Sequence, residues 1–314
     1  MACALFDALI IGAGPAGLST ATGLARQLHT AVVFNSGTFR NAKAKHMHNV
    51  VGWDHRNSAD FRDAGRRDLL ARYSTIQFED VGINTVKKIS TGNFEAIDAN
   101  GEIWQGRKLV LATGVRDVYP DIDGYEECWA DGIFHCLFCD GYEEKGAQSA
   151  GVLATDLLQD TQRAIHVARM ARRLAQSVTI YTNGDKDRAS ALQSVVNNDA
   201  YTIDSRPFAR LEKGPPGGLV KIHFQDGSSA EEGFMAHGPK YVLNGPFVQQ
   251  LGLETIESGE IKVSQPFNEA SVPGVFAAGD CAIFMKSVTP VIAMGTAVAA
   301  GVAFQIQADM EKTE

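Results

Sequence analysis

LFDALIIGAGPAG, residues 5–17, decides the fold. LFDALII is a short apolar run that stops at glycine, the pattern of a buried strand. GAGPAG then opens LSTATGLARQL, whose apolar positions recur at helical spacing, and AVVFN (31–35) reads as the next strand. A strand, a glycine turn, a helix and a strand with GxGxxG at the turn form a dinucleotide-binding unit. Gly12 makes the tight turn, Gly14 lets the backbone approach a pyrophosphate, and Gly17 packs the helix on the sheet. Such a unit usually carries an acid about 20 residues on to accept from a ribose hydroxyl. Here the position falls at Asn35 or Ser36, where an amide carbonyl still accepts the bond but brings no charge.

Two later segments extend the pattern. KLVLATG (108–114) is a strand ending in a small-residue turn, Ala112, Thr113 and Gly114, and VPGVFAAGDCA (272–282) is a strand followed by Gly279 and Asp280. Either alone is an ordinary turn. In this order they resemble the ATG and GD motifs of flavoproteins with two dinucleotide-binding domains, a resemblance that implies FAD, with Asp280 on its ribitol and phosphate. TPVIAMGTAVAAGVAFQI (289–306) begins a helix with Pro290 near its first turn, and a helix N-terminus there would stabilise negative charge on a reduced flavin.

The intervening residues read as an insertion. Strands near 150–154 and 178–182, joined by the helix RAIHVARMARRLA, start a second βαβ unit, while PPGG (215–218) and DGSS (226–229) punctuate strands LVKIHF and EGFMA. The expected architecture is α/β with two Rossmann-like domains, the second inserted in the first: 1–116 and 245–314 for FAD, 117–244 for the insert. A length of 314 residues suits two domains.

Bulk composition excludes several classes. With 29 basic and 37 acidic residues, net charge −8 and no basic run, neither nucleic acid nor an anionic membrane is an expected partner. The N-terminus lacks a basic region and reads as a strand rather than a signal peptide. No apolar run is expected to reach the roughly 18 residues of a membrane span, and a cytosolic location is the default.

Five cysteines, Cys3, Cys128, Cys136, Cys139 and Cys281, are too few and too scattered for a disulfide framework. Only CLFCDG (136–141) brings two together, as half of a zinc site, a structural disulfide or a redox pair. A second CxxC is missing, and HMH at 46–48 lies far off in another segment, so no metal is expected. Cys281 reads as buried packing, and Cys3 and Cys128 have no evident partner.

With GAGPAG, LATG, CLFCDG and VPGVFAAGDCA in order, the chain resembles the low-molecular-weight thioredoxin reductases over nearly its whole length. In that family a redox CxxC followed by Asp-Gly sits in the inserted domain, which makes Cys136, Cys139 and Asp140 the implied catalytic residues. The resemblance also implies a homodimer, and cofactor contacts from Gly12, Gly14, Pro15, Ala16, Gly17, Asn35, Ser36, Arg40, His48, Ala112, Thr113, Gly114, Gly279, Asp280 and Val291. It breaks where the family binds NADPH. Residues 152–183 contain no glycine, Asp156 and Asp160 occupy the loop that should face a pyrophosphate, and Asn183 and Asp185 stand in place of an arginine pair.

In its CLFCDGYEE and SAGVLA segments the chain is similar to the fungal dithiol oxidases of gliotoxin-type epidithiodioxopiperazine biosynthesis. That likeness implies closure of a disulfide in a small-molecule dithiol, with dioxygen as acceptor and hydrogen peroxide as product. Cys136 would face substrate and Cys139 the flavin. Asp140 would handle protons or simply cap a turn, and His135 is a second candidate base with a better-matched pKa. RNAKAKHMHNVVGWDHR (40–56), with three histidines, would line the flavin and substrate mouth or be an ordinary surface loop. Two alternatives stand beside this reading: a thioredoxin reductase-like enzyme fed by NADPH, ferredoxin or another donor, and a non-catalytic flavin redox sensor.

Overall fold

The structure, a computed structural model, describes residues 4–196, 199–215 and 217–312. The chain divides into two compact units, one of residues 1–42, 57–116 and 242–314, the other of residues 43–56 and 117–241. The histidine-bearing segment 43–56 therefore groups with the inserted unit rather than with the sequence that flanks it. Cys3 lies outside the described residues, as does Pro216 of the PPGG loop.

In the first unit five parallel strands form the centre of the sheet, in the spatial order Val275–Ala277, Ile103–Leu111, Leu5–Ile11, Ala31–Phe34 and Ile76–Glu79. Strands Leu5–Ile11, Ala31–Phe34 and Val275–Ala277 are buried along most or all of their length and nearly all apolar, as the centre of a parallel sheet requires, while Ile103–Leu111 is buried mainly at its Leu109–Leu111 end. Their register aligns the ends that matter. Ile11 pairs with both Phe34 and Leu111, and Leu111 with Ala277, so the turns that follow leave one edge of the sheet side by side. That edge is where open α/β sheets bind ligands.

Helix Val288–Glu311 is long and apolar enough to cross a membrane, contrary to the expectation of no such run. It serves instead as a core helix packed on helix Pro15–Arg26. An added Cβ at Gly23 would meet Ala299 Cβ at 2.4 Å, and one at Gly295 would meet the Ala16 carbonyl oxygen at 2.3 Å. Small residues on the facing sides let the two backbones approach, which explains a run apolar on more than one face.

The second unit repeats the plan on a smaller scale. Its parallel sheet runs Tyr201–Asp204, Ala175–Tyr181, Ala147–Leu153, Met235–Ala236, Ile133–Phe134. A three-stranded antiparallel sheet, Phe208–Lys213, Val220–Phe224 and Ser229–Glu232, accompanies it. The stretch expected as one strand, EGFMA, is split: Ser229–Glu232 ends in the antiparallel sheet and Met235–Ala236 enters the parallel one. Gly233 permits the change of sheet, since a Cβ there would meet Ala147 Cβ at 2.8 Å. The helix read as RAIHVARMARRLA is Thr161–Ala171 and ends before Ala175 begins the next strand.

Candidate active site

The glycine turn after strand Leu5–Ile11 is built for close approach. Gly12 has φ +116°, and a Cβ on it would lie 2.2 Å from the Ala112 carbonyl oxygen; one on Gly17 would lie 1.9 Å from the Gly12 carbonyl oxygen. Both positions demand glycine for internal reasons. Gly14 differs: a Cβ there would meet nothing within 4 Å. It is the N-cap of helix Pro15–Arg26, which has no side-chain cap and no acid in its first turn. The N–H groups of that turn are thus left to an external acceptor, the arrangement that receives a phosphate.

Around this turn stand the other residues expected at the cofactor. The Asn35 side-chain oxygen accepts from Gly37 N–H at 3.0 Å, while its amide donates to Asp80 at 2.8 Å. Arg66 also grips Asp80, and these bonds, Arg66 first, hold the carboxyl down at about 2. An acid thus lies next to Asn35, just past the end of the neighbouring strand Ile76–Glu79, with its oxygens engaged by Arg66 and Asn35. Ser36 lies beside it in the same turn. Arg40 Nη1 and Asp280 pair at 3.1 Å, directly after Gly279 at φ +90°. Thr113 is fixed through its carbonyl by the Asn244 amide at 2.8 Å, and Val291 is buried at the start of helix Val288–Glu311. Cys281 is fully buried, its thiol donating to the Leu111 and Ala278 carbonyls at 3.4 Å, as packing requires. These residues fit FAD: the first unit offers an uncapped helix end, a cradle that Cβ atoms would fill, and a positioned carboxylate.

In the second unit Cys136 and Cys139 form a disulfide with Cα atoms 5.2 Å apart. They follow strand Ile133–Phe134 in a turn closed by Cys139 N–H and Asp140 N–H, both donating to the Cys136 carbonyl at 3.0 and 2.9 Å. Gly141, at φ +107°, ends the turn. The Asp140 carboxyl is raised to about 6, chiefly by burial; His48 pulls it down and Glu143 pushes it up. A carboxyl so placed exchanges protons near neutrality. His135 is exposed.

Segment 43–56 closes over this turn. Met47 and Arg56 bridge its ends, His48 Nδ1 stands 2.5 Å from the Cys139 carbonyl oxygen, and Asn49 Nδ2 donates to the Phe138 carbonyl at 2.6 Å. His48, expected at the cofactor, is thus placed on the redox turn. Phe138, between the cysteines, is 71% exposed. Sequence reasoning missed Asn49, Phe138 and Glu143, for nothing in the spacing ties residue 49 to residue 138.

The glycine-free loop is closed by its own side chains. Asp160 caps helix Thr161–Ala171, accepting from Arg163 N–H at 3.0 Å. Buried His237 lies 2.6 Å from Tyr125 Oη, 3.0 Å from Thr155 Oγ1 and 3.4 Å from Asp156 Oδ2. Asn183 accepts from Phe208 N–H at 2.7 Å, Asp185 caps the next helix, and Arg188 donates to the Ala154 carbonyl at 3.0 Å. Cys128 is buried, and burial pushes its thiol up to about 11.

Two dinucleotide-type folds, one with an open phosphate cradle and one carrying a dithiol pair, define a flavin-dependent thiol–disulfide oxidoreductase. Residues 6–301 match the family described as pyridine nucleotide-disulphide oxidoreductase, and the chain belongs to it. It is 45% identical to a thioredoxin reductase, aclD, of Aspergillus oryzae, over 98% of this chain and 99% of that one. With the thioredoxin reductase sirT of Leptosphaeria maculans it shares 41% identity over 98% and 96%. A putative thioredoxin reductase from Bacillus anthracis, 22% identical, has the same fold, with a TM-score of 0.87 over 97% of this chain and 99% of that one. Members of this thioredoxin reductase-like family are FAD-binding flavoproteins, which agrees with the cradle at Gly12–Gly17.

Proposed function

We propose that the protein is an FAD-dependent dithiol oxidase that closes a disulfide within a small-molecule dithiol and passes the electrons to dioxygen. The observation that carries this reading is the second nucleotide loop, where the Asp160 carboxylate occupies the helix end that a pyrophosphate would need. An acid there repels phosphate. Without a nicotinamide donor, the Cys136–Cys139 disulfide is left to receive electrons from thiols.

In the proposed cycle a substrate thiolate attacks Cys136 Sγ and expels Cys139 as thiolate, giving a mixed disulfide. The second substrate thiolate then attacks the substrate sulfur of that bond and releases Cys136, so the substrate leaves oxidised and the pair is reduced. Asp140, whose carboxyl burial raises to about 6, takes the proton of one thiol at a time and passes it to solvent before the second thiol is deprotonated. FAD bound at the first unit would supply the two-electron acceptor for the reduced cysteines and the donor to dioxygen, with the two protons released by the substrate thiols balancing the hydrogen peroxide formed. The first unit holds FAD through Gly12, Gly14, Gly17, Arg40 and Asp280, and the enzyme works as a homodimer. Exposed Phe138 and Tyr142 beside the disulfide suit an apolar dithiol better than a charged one.

The names of the relatives favour a second reading, a thioredoxin reductase-like disulfide reductase. Oxygen uptake separates the two. A small dithiol alone should drive oxygen consumption and stoichiometric peroxide, with no nicotinamide added. Turnover that requires NADPH and a protein disulfide would establish the reductase.

A further inference from the structure

Three ligand-type atoms converge beside the redox turn. His48 Nε2 lies 3.1 Å from His55 Nδ1 and 3.3 Å from Glu143 Oε1, and the last two are 3.9 Å apart. A tetrahedral zinc ion with bonds of about 2.0–2.1 Å spaces its ligands roughly 3.3 Å from one another. The observed triangle is close to that.

The orientation of His48 supplies a second, independent argument. Its Nδ1 faces the Cys139 carbonyl, which only accepts, so Nδ1 carries a hydrogen and Nε2 is the nitrogen turned toward the carboxylate of Glu143. Metal-bound histidines commonly show this arrangement, one nitrogen donating to a backbone carbonyl and the other free for the ion. A single hydrogen bridges only two of the three atoms at a time; a cation satisfies all three.

The backbone is shaped for the same purpose. His55 is held at φ +57°, a conformation that costs a non-glycine residue about 1–3 kcal/mol. The bond from His55 N–H to the Met47 carbonyl at 2.9 Å fixes it there. The ring of His46 stacks on that of His55 with centroids 4.1 Å apart and planes 20° from parallel, which fixes the direction of the second ligand.

We propose that His48, His55 and Glu143 bind a divalent first-row transition cation, zinc foremost. Two imidazoles and a carboxylate match that class rather than calcium or magnesium, which prefer all-oxygen shells. Three protein ligands leave a fourth position for water or a thiolate. Two ligands come from segment 43–56 and one from the turn after the cysteines, so the ion ties that segment to the redox turn.

The test uses the intact, tag-free holoprotein with Cys136 and Cys139 oxidised, in a Cys3→Ser background so that the thiol of that residue cannot compete. Equilibrium dialysis against zinc, and the visible absorption of cobalt(II) as a coordination probe, are measured for this protein and for His55→Ala and Glu143→Gln. Both residues are exposed enough that neither change should disturb folding. One equivalent of zinc, a four-coordinate cobalt spectrum, and affinity weakened at least about tenfold in each variant are the expected results. Zinc binding unchanged in both variants would place the ion elsewhere and overturn the proposal. Absence of stoichiometric binding to the parent would mean that a proton alone holds the three side chains together.

Discussion

The Asp160 carboxylate accepts from the N–H of Arg163 at 3.0 Å, closing from within the helix end that its counterpart, Gly14, leaves open. The chain thus contains the same motif twice, once with no side-chain cap on its helix end and once with a carboxylate of its own on one of the first-turn N–H groups. Replacing Asp160 by Ala should cost about 1 kcal/mol of stability, the usual value of an N-cap. It should not confer reduction by NADPH, because Asp156, Thr155 and His237 still fill the loop. Urea unfolding and flavin absorbance with NADPH check the two halves of this statement.

The glycines of the first turn should separate folding from binding. Gly14→Ala meets no atom within 4 Å and should leave the stability of the flavin-free protein unchanged, while weakening FAD where its backbone must approach a phosphate. Gly12→Ala and Gly17→Ala drive a methyl into main-chain oxygens and should yield unstable protein. Thermal unfolding of flavin-free protein, set beside FAD titration, distinguishes the two outcomes.

If the proposed cycle holds, Asp140 should make dithiol oxidation pH-dependent. With its carboxyl raised to about 6, the basic form accumulates as pH rises through that value, and the rate of reduction of the Cys136–Cys139 disulfide should rise with it. Asp140→Asn should slow the step roughly a hundredfold and erase this limb. A limb that survives in the variant would move the proton-accepting role to His135.

His237 governs acid stability. Burial holds its imidazole below the ordinary value, against the opposing pull of Asp156. The unfolded chain therefore takes the proton first as pH falls below about 6.5. The stability this residue contributes is present above that pH and lost below it. Asp140, a raised acid, has the opposite sign: its contribution declines as pH rises from about 4 toward its folded value. The difference in unfolding free energy between the parent and His237→Gln, followed from about pH 8 to about pH 5, should shrink toward the acid end.

Much of this was legible in the chain because local chemistry and fold agree there. GAGPAG marks a turn that only glycine can make at residues 12 and 17, and the periodicity around it needs no partner to be read. The departure at residues 152–183 was legible for the same reason, as side chains where glycines are expected. Contacts between distant segments were not. Asp80 reaches Asn35 from just past the end of a neighbouring strand, 45 positions along the chain. Segment 43–56 meets Cys139 and Phe138 through hydrogen bonds from residues about 90 positions away, so the histidines judged too remote to join the cysteines lie beside them. Helix Val288–Glu311 was read correctly as a helix, but its length of apolar sequence was underestimated; the small apolar residues that let it approach helix Pro15–Arg26 extend the run.

The central claim is that electrons enter through a dithiol and not through a nicotinamide. Anaerobic mixing of the oxidised holoprotein with a small dithiol, and separately with NADPH, while following flavin absorbance near 450 nm (approximately, as for flavins generally), tests it directly. The account predicts bleaching by the dithiol alone, recovery of colour with peroxide on admitting air, and no dithiol bleaching in Cys136→Ser. Prompt bleaching by NADPH would contradict it, because the loop that Asp160 closes would then still bind the cofactor.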